Sequence, residues 1–230
     1  QLMMGTTPVG APVPGTGTSL DFGLQTATGT YTVVATNTVT GCTAPMSGSA
    51  TIGTNPLPAQ YSVTGGGGYC VGGTGVKVYL SGSALGTNYQ LMMGGAPVGT
   101  PVSGTGAPLD FGFQTAAGNY SVAAIITATG CVAGMSGSAN VVINPLPTQF
   151  TMTGGGSYCV GGTGVAVGLN GSTAGVNYQL YNGATPVTGG LMAGTGTSIS
   201  FGSLTTVGTY TVVATNASTS CVNNMLGSAV

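Results

Sequence analysis

Five cysteines are the residues of this chain best suited to chemistry, and they are regularly placed. Cys42, Cys131 and Cys221 follow one another at intervals of 89 and 90 residues, and Cys70 and Cys159 stand 89 apart. Thiols pair as disulfides, hold metals or act as nucleophiles. Zinc modules draw ligands from clusters a few residues apart, commonly with histidine; here neighbouring cysteines are at least 28 residues apart and the chain has no histidine. A nucleophilic thiol or hydroxyl needs a base beside it, and the missing histidine removes the usual one. Disulfides in an oxidising compartment fit these residues best. That places the protein outside the cell, on or beyond the surface, with no metal and no cofactor expected.

The remaining ionisable side chains with a standing charge are Lys77, Asp21 and Asp110, for a net charge of −1. General acid–base catalysis needs titratable groups that converge. Asp21 and Asp110 occupy the same place in two copies of Leu-Asp-Phe-Gly, and the third copy carries Ser200 instead. They are therefore copies of one position rather than a paired carboxylate site, and the serine argues against a calcium joint. Lys77 becomes Ala166 one period later, which reads as a solvent-facing strand residue. Gly65–Gly68 and Gly154–Gly156 lack the lysine of a phosphate loop and read as turn glycine. No enzymatic activity is expected.

The cysteine spacing is one sign of a wider repetition. Gln1-Leu2-Met3-Met4-Gly5 returns as Gln90-Leu91-Met92-Met93-Gly94 and as Gln179-Leu180-Tyr181-Asn182-Gly183. A fixed period of this size means one structural unit copied in tandem. Asn55-Pro56-Leu57-Pro58 and Asn144-Pro145-Leu146-Pro147 punctuate it with stiff, extended joints. The expected units are 1–56 (the C-terminal part of a repeat), 57–145 (complete) and 146–230 (nearly complete). Since the chain opens and closes within a repeat, it reads as a stretch of a longer array or a processed subunit.

Within 57–145 the apolar period is two. Tyr61 and Val63, then Val76, Val78 and Leu80, then Tyr89, Leu91 and Met93 alternate with polar or small residues, with Gly-rich breaks between runs. Leu109 and Phe111, then Tyr120, Val122 and Ala124, and finally Ala139, Val141 and Ile143 continue the pattern. Short alternating runs with no helical period predict an all-β, antiparallel β-sandwich of about seven strands per repeat. The expected core includes Val76, Val78, Leu80, Leu91, Phe111, Tyr120, Val122, Val141 and Ile143. Tyr31, Tyr120 and Tyr210 each follow a glycine by two residues. A tyrosine there is either an ordinary strand residue or the tyrosine corner of an immunoglobulin-like sandwich.

Tyr69-Cys70-Val71-Gly72-Gly73, the Val76-Val78-Leu80 run, Gly118-Tyr120-Val122, Thr129-Gly130-Cys131 and Asn144-Pro145-Leu146-Pro147 together resemble tandem Ig-like or PKD-like repeats. Such repeats occur in large secreted surface proteins of Bacteroidetes-type bacteria, adhesins exported by the type IX route. The resemblance spans the whole chain and implies a rod of sandwich domains at the cell surface.

Composition narrows the role. Clustered Lys and Arg, which nucleic acid and anionic lipid both require, are missing, and no run approaches the roughly 18 apolar residues of a membrane helix. No basic segment leading into an apolar one opens the chain, so no signal peptide is read there. Neutral Thr, Ser, Asn and Gly surfaces pack without like-charge repulsion, and net charge near zero promotes association. The expected function is an extracellular self-assembling filament or adhesin stalk whose partners are other copies of itself, by strand addition at sheet edges. The alternative is an array of carbohydrate- or surface-binding modules carrying a glycan or surface ligand. Asn119, Asn170 and Asn216 begin Asn-x-Ser triplets, which arise readily by chance in such a chain.

Two pairings of the cysteines compete. Within a repeat, Cys70 would join Cys131 and Cys159 would join Cys221. The strand order opposes this, because Cys70 falls at the end where the repeat finishes and Cys131 at the opposite end, whereas bridged Cα atoms lie within about 7 Å. Between repeats, Cys70 would face Cys221, leaving Cys42, Cys131 and Cys159 to partners beyond these residues or in another subunit. We place Cys70 with Cys221. Non-reducing peptide mapping separates the two schemes: a linked peptide containing Cys70 and Cys131 refutes the second.

Overall fold

The computed structural model describes residues 1–230. The chain is built of strands and turns only, and no helix is long and apolar enough to cross a membrane. It forms two compact units, Gln1–Leu57 and Pro58–Val230.

The first unit is one antiparallel sheet made of β1 (Leu2–Met4), β2 (Thr7–Val9), β3 (Gly29–Thr36), β4 (Thr43–Pro45) and β5 (Ala50–Ile52). Its order is β2-β1-β3-β4, with β5 also on β3. No second sheet faces it within the unit. Leu2 and Tyr31 are its buried apolar residues.

The second unit contains two sandwiches. The first runs through β6 (Val63–Gly65), β7 (Gly67–Cys70), β8 (Val76–Leu80), β9 (Thr87–Met93), β10 (Ala96–Ser103), β11 (Leu109–Gln114), β12 (Gly118–Ile126), β13 (Val132–Gly134) and β14 (Ala139–Asn144). One sheet is β11-β8-β6; the other is β10-β9-β12-β14-β7, with β13 pairing the far end of β12. The second sandwich uses β15 (Met152–Gly154), β16 (Val165–Leu169), β17 (Val176–Asn182), β18 (Thr185–Ala193), β19 (Ile199–Leu204), β20 (Tyr210–Asn216) and β21 (Val222–Asn224). Its sheets are β15-β16-β19 and β18-β17-β20-β21.

The period-two pattern does what alternation on a pleated strand dictates. On β8, Val78 and Leu80 are fully buried while Tyr79 between them is exposed. Val78, Leu80, Tyr89, Leu91, Tyr120, Val122 and Val141 fill the first core, with Val76 and Phe111 half-buried against it. Their counterparts Val167, Leu169, Tyr178, Leu180, Tyr210 and Val212 fill the second. Each such side chain contributes roughly 1.5–3 kcal/mol through burial. Ile143 departs from the expected core. It pairs with Tyr69 at the margin of the sheet and stays 38% exposed, outside the packed cluster.

Three strands of the first sandwich were hidden from the apolar pattern. β13 is only three residues long, and β10 carries Pro97, Pro101 and a register shift between Val98 and Val102. Proline is tolerated there because β10 is an edge strand whose outer N–H groups need no partner. β7 begins within the glycine run Gly65–Gly68 that reads as a turn. Instead of turning, the chain crosses from one sheet to the other: β6 pairs antiparallel with β8, and β7 pairs parallel with β14. Gly65 and Gly66 make the crossing at φ 93° and 75°. A Cβ on Gly65 would stand 2.3 Å from the Lys77 carbonyl oxygen, and one on Gly66 would stand 2.6 Å from that of Asn140. Both the backbone region and the close approach demand glycine.

All three tyrosines in question form the corner. The hydroxyl of Tyr31 donates to the Ala27 carbonyl at 2.8 Å, that of Tyr120 to Ala116 at 2.9 Å, and that of Tyr210 to Thr206. Burial pushes the Tyr120 phenol above its ordinary range, so it remains a donor at any physiological pH. Tyr120→Phe leaves the Ala116 carbonyl without this donor and should cost about 1–2 kcal/mol, read as a lower urea midpoint with unchanged slope.

Candidate functional site: the Cys70–Cys221 junction

The parallel pairing of β7 with β14 fixes where Cys70 ends up. The register closes with Asn144 opposite Cys70, and the next N–H, of Val71, donates to the Asn144 carbonyl at 2.9 Å. Cys70 is therefore held at the point where the chain leaves this sandwich for Pro145-Leu146-Pro147. The turn that follows closes with Gly73 N–H on the Cys70 carbonyl at 2.9 Å.

Cys221 is delivered by the turn between β20 and β21. Asn216 organises it: its N–H donates to the Cys221 carbonyl at 2.9 Å, and its side-chain oxygen accepts from Ser218 N–H at 2.9 Å and Thr219 N–H at 3.1 Å. Two residues on, the Asn223 amide donates to the Pro147 carbonyl at 2.8 Å. The proline joint is thus gripped beside Cys70 from one sandwich and beside Cys221 from the other.

Across it the two cysteines are bonded to each other, with Cα atoms 5.5 Å apart and a sequence separation of 151. Cys221 is fully buried. A loop of that length corresponds to about 5 kcal/mol of stabilisation in the chain-entropy model. Neither within-repeat pair, Cys70–Cys131 nor Cys159–Cys221, is formed. Cys131 is half-buried, whereas Cys42 and Cys159 are exposed thiols.

The charged residues serve structure. Asp110 accepts a hydrogen bond from Gly112 N–H at 2.7 Å, Asp21 accepts from Gly23 at 2.8 Å, and Ser200 accepts from Gly202 at 3.2 Å. A short side-chain oxygen capping the amide two residues on explains why Asp and Ser interchange here. Asp110 also meets Lys77, the residue read as merely solvent-facing, at 2.7 Å across β8 and β11. The Lys77 ammonium lies 5.3 Å from the Phe113 ring centroid. This pair was missed in the sequence because the register between the two strands is shifted by a bulge between Asp110 and Phe113. The sequon residues are structural as well: Asn216 caps its turn, and Ser172 is buried with its hydroxyl on the Thr197 carbonyl at 2.6 Å. The apolar cleft at the rim of the second core, between Tyr158, Val165, Leu204 and Tyr210, is lined by no Asp, Glu, Lys or Cys side chain.

No protein-family model matches the chain, and no curated protein does. Among solved structures, the human OSCAR ligand-binding domain is similar at 14% identity and a TM-score of 0.31, covering 76% of this chain and all of that one. The chicken CNTN1 FN1–FN3 domains are similar at 13% identity and a TM-score of 0.33, covering 86% and 78%. Both scores are below 0.5, so neither likeness bears on role. The class stands on the chain's own sheets, which make it a tandem all-β protein of antiparallel, Ig-like sandwiches.

Two outcomes follow from this geometry. The Lys77 ammonium and the Gly112 amide hold the Asp110 carboxyl below its usual range, and the Asp110 hydrogen bond raises Lys77. The depressed carboxyl contributes stability above the unfolded value near 3.9 and loses it as pH falls through the folded value. The raised amine contributes below the unfolded value near 10.4 and loses it as pH rises through the folded one. Stability from this pair should be flat between about pH 5 and 9, with a small acid step that Asp110→Ser removes in thermal melts. Separately, Cys70→Ser should leave both sandwiches folded by circular dichroism and split one calorimetric transition into two.

Proposed function

We propose that this chain is a structural repeat protein of the extracellular surface, organised as repeats 1–56, 57–145 and 146–230, that assembles with copies of itself into a filament or stalk. The observation that carries this reading is the disulfide between successive sandwiches. A bond spent on stiffening a junction rather than a core suits a protein whose task is to span distance. It also suits an oxidising location, since such bonds persist outside the cytoplasm.

Other features support the same reading. One lysine and two aspartates leave the surface nearly free of like-charge repulsion. The repeated tyrosines Tyr89, Tyr120 and Tyr178 are fully buried and so cannot form an aromatic sugar platform, and the exposed Tyr79 and Phe113 flank the Lys77 ammonium. Attachment to a bacterial surface by the adhesin route remains the implication of the sequence motifs alone.

Electron microscopy of the oxidised chain should show filaments with an axial period of two to three sandwich lengths. Light scattering at micromolar concentration should show mass growing with concentration; a monodisperse monomer overturns the proposal.

A further inference from the structure

The bonded junction has two half-sites, and the same chain carries each of them a second time with its thiol exposed. The first is the loop Tyr69-Cys70-Val71-Gly72-Gly73-Thr74-Gly75, which recurs residue for residue as Tyr158-Cys159-Val160-Gly161-Gly162-Thr163-Gly164. Two of its hydrogen bonds recur too. Gly162 N–H donates to the Cys159 carbonyl at 2.8 Å, as Gly73 does to Cys70 at 2.9 Å. The Tyr158 hydroxyl donates to the Thr205 carbonyl as the Tyr69 hydroxyl does to Thr115.

The second half-site is the turn Asn216–Cys221, and its counterpart is Asn37–Cys42. Asn37 N–H donates to the Cys42 carbonyl at 2.9 Å, and Gly41 N–H to the Asn37 carbonyl at 2.8 Å. The Asn37 side chain accepts from Val39 at 2.9 Å and Thr40 at 3.1 Å, matching the two bonds made by Asn216. Cys42 N–H reaches the Thr40 hydroxyl at 3.4 Å, as Cys221 N–H reaches that of Thr219. Burial is what differs: Cys221 is covered where its partner loop meets it, while Cys42 and Cys159 are exposed. Both cysteines are thus presented on turns that hold the same backbone hydrogen bonds as the bonded pair, although the strand that leads into Cys70 has no counterpart before Cys159.

We propose that Cys159 of one copy and Cys42 of a second copy form an intermolecular disulfide that repeats the Cys70–Cys221 junction between molecules. This rests on the self-assembly reading above and names its covalent contact. The turn recurs once more at Ile126–Cys131, where the cysteine is half-buried, so each copy offers one exposed cysteine of each kind and the bond propagates head to tail. Formation needs an oxidant, supplied as a low-molecular-weight disulfide. The Cys159 sulfur attacks it, forming a mixed disulfide and releasing one small thiol. The Cys42 sulfur of the second copy attacks the Cys159 sulfur of that mixed disulfide and releases the other. Two protein thiols are oxidised, the small disulfide is reduced to two thiols, and the two protons end on them.

The test takes the reduced 230-residue chain into a buffer of oxidised and reduced glutathione, followed by non-reducing electrophoresis and peptide mapping. The expected result is a ladder of dimer, trimer and higher species, with a linked Cys42–Cys159 peptide, that collapses to monomer on reduction. Cys42→Ser and Cys159→Ser each lose the ladder while melting like the parent. An equimolar mixture of the two variants gives dimer and nothing larger, because it holds one competent half-site pair. Cys131→Ser keeps the ladder. The proposal is overturned if no ladder forms, if it survives either single variant, or if Cys42–Cys42 or Cys159–Cys159 peptides predominate. Filaments without the Cys42–Cys159 peptide would overturn this bond and leave the self-assembly reading standing. The peptide without filaments would do the reverse.

Discussion

The first strand of the complete sandwich changes sheets halfway along, and the rest of the junction depends on that crossing. Because Gly65 and Gly66 take backbone angles closed to other residues and tuck under neighbouring carbonyls, the chain can leave β8 and run alongside β14. A parallel partner fixes direction as well as register. It carries Cys70 toward the end at which β14 departs, and so toward the following sandwich. Had the glycines made a simple reversal, Cys70 would have been returned along its own sheet, away from the proline joint.

Hydrogen bonds and apolar packing do the work that charges share in most domains. The chain has a single ion pair, on the surface, and exposed pairs of this kind contribute little. In its place stand side-chain to backbone contacts that recur with the period: tyrosine to the loop before its strand, serine or aspartate to the amide two residues on, asparagine to its own turn. Each is short in sequence and independent of neighbouring repeats. Such a unit can be copied many times without new pairing problems, and it is indifferent to salt.

Most of the sandwich was legible because alternation reports directly on a half-buried strand. Val78 and Leu80 against Tyr79 show this at three consecutive positions. What stayed hidden were elements defined by backbone rather than by side chains. β7 reads Gly-Gly-Tyr-Cys, and β10 contains two prolines, so neither carries an apolar period. Ile143 has the right phase and still stays exposed, since phase says which face a residue points to and not how far the facing sheet extends. The Lys77–Asp110 contact was hidden for another reason: a bulge shifts register between the strands, and no local pattern encodes it. For the cysteines, composition gave only the oxidising chemistry. The bonded pair became readable once the order of strands assigned each cysteine to an end of its sandwich.

The disulfide also changes what the chain can do under tension. Follow the covalent path from Pro58 to Val230. It runs thirteen residues to Cys70, crosses the sulfur bridge, and leaves through ten residues from Cys221. Pulled taut, that path spans about 80 Å at 3.3–3.6 Å per residue, whereas the unbridged 173 residues would extend to nearly 600 Å. The polypeptide between the two cysteines forms a closed ring that carries no end-to-end load. Force applied at Pro58 and Val230 runs through β6, β7, the sulfur bridge and β21, and a break in the proline joint leaves the two sandwiches tethered.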